Sequence, residues 1–207
     1  MIFKESNLTF LTNVTKIIYS LIIEYFFSDE LSKLRRNIML AVGGGGYPLM
    51  NVLYRTYSQL IDALFSWSDN PVTDKTFGCL IVLTPQGTFV QDRVGPLRPE
   101  EFRPDKYDQL EILSLEKAKR LRRHPKHFSS FQSRNPEKNQ LGGAVRIENN
   151  NFILSLTYVN EELDEAIVTA TAWHMGIMSM DETRRIAEAS GNQFISRLME
   201  IEIESPF

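Results

Sequence analysis

Leu141-Gly142-Gly143-Ala144-Val145-Arg146-Ile147, then Glu148-Asn149-Asn150-Asn151, then Phe152-Ile153-Leu154-Ser155-Leu156-Thr157-Tyr158 is the stretch that decides the fold. Two β-rich runs flank an Asn-rich tight turn, which is a hairpin signal, because Asn accepts the left-handed backbone that such turns demand. Just beyond it, Asn160 is suited to cap a helix, and Glu161, Glu162, Asp164 and Glu165 crowd the first turns. The helix dipole favours negative charge there by about 0.3–1 kcal/mol per group. The pattern predicts a hairpin followed by a helix that continues to His174, with Gly176 as its C-terminal stop.

A second hairpin is legible upstream. Phe77 to Leu83 is a short, nearly continuous apolar run, as expected of a buried strand, with Cys79 an inert core residue inside it. Thr84-Pro85-Gln86-Gly87 places Pro second and Gly fourth in a type I turn, and Thr88 to Arg93 returns as the partner strand. Gly95 to Lys106 reads as irregular surface. Tyr107 to Leu121 reads as a helix starting near Asp108 or re-capped at Ser114, with Leu110, Leu113, Ala118 and Leu121 as its apolar positions. Phe128 to Gln140, rich in Ser, Asn and Gln, reads as loop or disorder. Two hairpins with a long helix between them favour an antiparallel α+β layer over a doubly wound order.

The flanks are helical. Leu11, Val14, Ile18, Leu21, Ile22 and Tyr25 mark one face of an amphipathic helix, and Ser28-Asp29-Glu30 opens a second, so residues 1–45 are expected to form a helical hairpin preceding the α+β domain of residues 46–207. Gly43 to Gly46 then form a flexible joint or a close-approach loop. No Lys-Ser or Lys-Thr follows them, so the P-loop pattern is absent. Pro48 sits well in the first turn of a third helix carrying Leu53, Leu60, Ile61 and Leu64. At the other end, Ser179-Met180-Asp181-Glu182 is a capping box whose helix stops at Gly191, and Asn192 to Glu200 makes a last short helix.

Composition sets bounds. The chain has 207 residues, 43% hydrophobic and 24% charged, values of a soluble globular protein able to bury its own core without staples. A net charge of −3 gives no global attraction to nucleic acid or anionic membrane, and the single Cys79 excludes an intrachain disulfide. The apolar N-terminal run is interrupted by Asn13, Lys16 and Glu24 and lacks the flanks of a leader or a membrane span, so a cytoplasmic location is expected.

The sharpest charge feature is Lys117, Lys119, Arg120, Arg122, Arg123, His124, Lys126 and His127, expected to cover most of the exposed circumference of one helix. A solvated helix face and an anion site both fit it, since Arg forks suit phosphate and carboxylate groups. Nucleic acid fits less well, because no aromatic residues interleave with the run. His124-Pro125-Lys126-His127 lacks the spacing and the neighbouring carboxylate or Cys of a metal site. No nucleophile elbow, HExxH, CxxC or deaminase pattern occurs, so the sequence supplies no residues for a reaction.

One resemblance accompanies these readings. The strand ending in Asp92-Arg93, the helix with Lys117-Ala118, the Gly142-Gly143 hairpin and the Asp164-Glu165-Ala166 helix follow an order similar to that of the GlcG/HbpS-like haem-binding family, over roughly residues 48 to 173. The resemblance implies a profilin-like, mostly antiparallel sheet flanked by helices. It also implies a protein that binds haem or another small anionic ligand at a basic helix. Arg93, Lys117, Arg120 and Arg123 would then supply anion contacts, with His124 or His127 as axial ligand. The alternative is a regulatory or protein-interaction scaffold that dimerises through the apolar stripes of its first and last helices.

Overall fold

The computed structural model describes residues 47–67, 78–87, 89–94, 104–148 and 151–203. The chain divides into two compact units, Met1–Leu49 and Met50–Phe207. All of the first but its last three residues lies outside the described residues, and with it the expected N-terminal helical hairpin and the tetraglycine. The elements are α1 (Tyr47–Ser66), β1 (Gly78–Leu83), β2 (Phe89–Val94), α2 (Pro104–Arg123), β3 (Ala144–Ile147), β4 (Phe152–Thr157), α3 (Glu161–His174), α4 (Met180–Ser190) and α5 (Phe194–Met199). The class is α+β.

The four strands form one antiparallel sheet in the order β2-β1-β4-β3. Both expected hairpins are present, and the two central strands pair with each other, Cys79 facing Thr157 and Leu83 facing Ile153. Every residue of β1 and of β4 is buried. Both faces of the sheet are therefore covered, and β1 reads as a continuous apolar run for that reason, whereas β4 carries the buried Ser155 and Thr157. Over the face that carries Ile153 and Ser155 lies α2, whose Ser114 hydroxyl donates to the Ser155 carbonyl at 3.0 Å. Leu83, Ala118, Leu121, Ala144 and Ile153 close into one core cluster there. On the other face α3 packs against β3 and β4. Tyr57 of α1 meets Tyr158 edge-on, with ring centroids 6.3 Å apart.

Local chemistry explains the boundaries. The Gly87 amide donates to the Thr84 carbonyl at 3.0 Å and closes the first turn, with Gly87 at φ 90°. Asn151 ends the second turn at φ 54°, the left-handed conformation that Asn tolerates better than most residues. Asn160 caps α3 by accepting from the Leu163 amide at 2.9 Å. Ser179 and Glu182 form the capping box of α4, and Gly191 terminates it at φ 68°. A further link comes from the same Glu182, whose carboxylate accepts from the Glu148 amide at 2.9 Å and ties α4 to the end of β3.

Two expectations are corrected. Helix α2 begins at Pro104, not near Asp108 or Ser114, because Pro fits the first helical position and Asp105 complements the dipole. Phe128 to Gln140 is not a structureless loop. It holds two short 3-10 turns, Ser130–Ser133 and Pro136–Lys138, the first capped by Ser129 and Gln132. This segment also covers the outer edge of β3, where the Arg146 amide donates to the Phe128 carbonyl at 2.8 Å, and so shields backbone groups that an edge strand would expose. Among the described residues, no helix is long and apolar enough to cross a membrane.

Gly143, just before β3, is where the layers come closest. Its φ is 103°, and a Cβ there would lie 2.8 Å from the Asp164 Cβ, 2.9 Å from the Lys117 Nζ and 3.0 Å from the Leu156 carbonyl. Gly143→Ala is expected to destabilise the protein by about 2–4 kcal/mol in a denaturant titration, combining backbone strain with overpacking. Gly191→Ala, with nothing within 4 Å of the added carbon, should cost only about 1–2 kcal/mol from its positive φ alone.

Candidate functional site

Helix α2 carries most of the residues expected to bind an anion, and it does not present them together. Lys117 and Arg120 point inward, so the basic run does not wrap the helix's exposed circumference. The reason is geometric: an α-helix sets side chains about 100° apart, and Lys117 and Arg120 share the inner face with Ser114, Ala118 and Leu121. Lys119, Arg122 and Arg123 fall on the outer one.

Lys117 is 1% exposed. Its ammonium donates to the Leu156 carbonyl at 2.7 Å and to the Asp164 carboxylate at 3.2 Å. The other oxygen of Asp164 accepts from the amides of Tyr158 at 3.0 Å and Val159 at 2.8 Å. Burial pushes the Asp164 carboxyl up and the Lys117 amine down, and each charge offsets part of the other's desolvation. Arg120, 3% exposed, donates to Glu116 at 2.9 Å, to the Ser130 carbonyl at 2.8 Å, to Ser133 and to the Leu141 carbonyl. Turning it outward would strand those carbonyls at about 1–3 kcal/mol each, whereas an exposed ion pair returns about 0–1 kcal/mol. Arg120 therefore holds the segment between the 3-10 turns and β3.

His124 and His127 close the end of α2. Their rings stack with centroids 4.8 Å apart and an interplanar angle of 11°. The Arg146 guanidinium gathers the carbonyls of Leu121 at 2.6 Å, His124 at 3.3 Å and His127 at 3.2 Å, and so caps the helix. The His127 Nδ1 is buried without a hydrogen-bond partner. Desolvation, then the nearby His124, Arg146 and Arg120, hold the His127 imidazole below its ordinary pKa. On α3, Glu165 is fully buried, accepts from the Ser129 hydroxyl and from Asn192 at 3.0 Å, and is pushed up by burial. Arg93 lies on β2 opposite Cys79. Among the described residues, no group of three or more His, Cys, Asp or Glu could hold a metal ion.

A groove of about 500 Å³ runs along the outward stripe of α2. Its described walls are Ile112, Leu115, Glu116, Lys119, Arg122 and Arg123. Ile112 is 66% exposed, and only Phe65 and Met180 are also exposed among the large apolar side chains described. Arg122 is partly committed, since it donates to the Pro85 carbonyl at 3.1 Å across the turn between β1 and β2. Basic residues in the last turn also offset the helix dipole, but that function does not require the apolar pair beside them. Of the six expected contacts only Arg123 lines the groove; Arg93, His124 and His127 are not among its described walls. Lys117 and Arg120, two of the residues expected to contact an anion, are instead spent on buried partners within the fold. Ile112 and Leu115 were missed as site residues, although both lie off the helix's apolar stripe, a signal the sequence carries.

The buried pair and the imidazole each generate a test. Lys117→Met should destabilise the fold by about 3–5 kcal/mol in a denaturant titration, because Asp164 keeps its burial and loses its counter-charge. Lys119→Met, two residues away and exposed, should change it by less than about 0.5 kcal/mol. His127 favours the neutral form when folded, so its contribution is complete above its unfolded pKa of about 6.5 and is lost as pH falls through that value towards the lower folded one. His127→Gln should therefore gain in melting temperature relative to the parent as pH drops from about 7.5 to 5.5; an unchanged difference would contradict the assignment.

No family model, no curated protein and no solved structure matches this chain.

Proposed function

We propose that this chain is a binding protein whose outward stripe on α2 takes an anionic, partly apolar ligand. The observation that carries the reading is the exposed Ile112 beside Leu115, Lys119, Arg122 and Arg123 in one groove. Leaving a large aliphatic side chain in water forgoes about 1.5–3 kcal/mol that burial would return, and a ligand that covers Ile112 recovers part of it. Lys119 and Arg123 then supply the charge that selects an anion. Two antiparallel hairpins separated by a basic helix, in the strand order β2-β1-β4-β3, support a profilin-like domain of the GlcG/HbpS-like kind. For haem itself the support is weaker, since neither His124 nor His127 lines the groove.

The test uses an anionic apolar dye, anilinonaphthalene sulfonate, as a minimal probe, followed by fluorescence. Saturable binding should weaken with added salt, and Lys119→Glu with Arg123→Glu should reduce affinity at least about tenfold, the cost of losing and reversing two exposed charge contacts. Lys126→Glu, an exposed charge outside the groove's described walls, should leave it within about twofold. Equal affinity in all three proteins would remove the α2 stripe from consideration. Haemin should respond to the same pair of substitutions and not to His124→Ala or His127→Ala.

A further inference from the structure

Charge on the outward stripe of α2 is ordered along the helix. Asp108, Ile112, Leu115, Lys119 and Arg122 recur at alternating four- and three-residue steps, the spacing with which one helix faces another. At 100° per residue they fall within about 80° of arc. Asp105 extends the acidic end by about a turn. Ile112 is 66% exposed, Leu115 is half-buried, and the charged members are all exposed. From its start to its end the stripe therefore runs acid, apolar, base. The helix dipole favours that order in the terminal turns, but Asp108 and Lys119 both lie outside them. Nor does the fold use these two charges. Among the described residues Asp108 and Lys119 take part in no ion pair, whereas the inner Lys117 and Arg120 are paired with Asp164 and Glu116.

An order of acid, apolar, base is complementary to its own reverse. A two-fold axis perpendicular to α2, midway between Ile112 and Leu115, sets Ile112 against Leu115 of a second copy, Asp108 against Lys119 and Asp105 against Arg122, each contact occurring twice. A parallel pair in register would set Asp108 on Asp108 and Lys119 on Lys119. A uniformly anionic surface, such as a layer of lipid headgroups, attracts Lys119 and repels Asp108. From this self-complementarity we infer that the α2 stripe is a homodimer interface, on which a second copy packs its own α2 antiparallel. This rests on the proposed role of the stripe as a site for an anionic, partly apolar ligand and names the occupant: Asp108 of the second copy brings the charge, and its Ile112 and Leu115 bring the apolar surface. One helix on another over about 27 Å, or five turns, is at the small end of specific interfaces, so the dimer dissociates on dilution.

The experiment is sedimentation equilibrium of the full chain from about 1 to 300 μM, the range in which a small interface assembles. The mass should rise with concentration from that of one chain towards that of two, and less steeply in added salt. Asp108→Lys and Lys119→Asp should each weaken self-association at least about tenfold, because each variant sets like charges together twice. Mixed one to one, the two variants should recover the parent affinity within about threefold, since every altered contact then joins opposite charges. Ile112→Asp should leave a monomer throughout. Thermal melts matching the parent show that each variant is folded. A chain that stays monomeric at the highest concentration, a dimer indifferent to Ile112→Asp, or a mixture that does not reassociate overturns the second-copy assignment. The sulfonate dye tells that failure from a failure of the stripe itself. If the chain stays monomeric while the dye binds and responds to Lys119→Glu with Arg123→Glu, the ligand-binding role stands and the occupant is another molecule. If neither the dye nor a second copy engages the stripe, both fall.

Discussion

The ammonium of Lys117 is the constraint on which the architecture turns. It leaves α2 on one face of the sheet and reaches the Leu156 carbonyl and the carboxylate of Asp164, which begins α3 on the other. Such a crossing is open only where the sheet has no side chain in the way, and Gly143, immediately before β3, provides that opening. Asp164 in turn holds the two amides that follow β4, so one carboxylate fixes the strand's exit and the helix's entry together. The pair's own net stability is modest, because desolvation consumes much of the attraction; what it contributes is registry between two helical layers and the strand between them.

Around that pin the remaining buried polar groups divide the labour of holding irregular backbone. Arg120 collects carbonyls from the 3-10 turn and from Leu141, Arg146 collects those at the end of α2, and Glu165 receives Ser129 and Asn192. Each charged group ends up where several backbone or side-chain partners converge, as burial of a charge requires. The consequence for function is a separation of roles along one helix. The inner cations of α2 are consumed by the fold, and only the outer ones, beside an unburied isoleucine, are left to meet anything else.

Much of the fold was legible because its signals are local. The Asn-rich turn, the Thr84-Pro85-Gln86-Gly87 turn, the Asn160 cap, the Ser179–Glu182 box and the Gly191 stop depend on a few neighbouring residues and on backbone conformations that those residues favour. The start of α2 was less legible, since Pro104 lies among other prolines that read as irregular chain. The order in Phe128 to Gln140 was invisible for a different reason. That segment is polar in composition, and what orders it is a guanidinium supplied from another element.

By itself, then, the sequence determined the two hairpins, the helices that follow them and the α+β class, because turn chemistry and hydrophobic run length act over a handful of residues. Only the tertiary structure decided which of the clustered cations are available. Lys117 and Lys119 are alike in a list of charges, yet one is buried against Asp164 and the other lines an open groove. That difference is set by helix phase relative to a sheet whose position depends on residues far along the chain, and no local pattern encodes it.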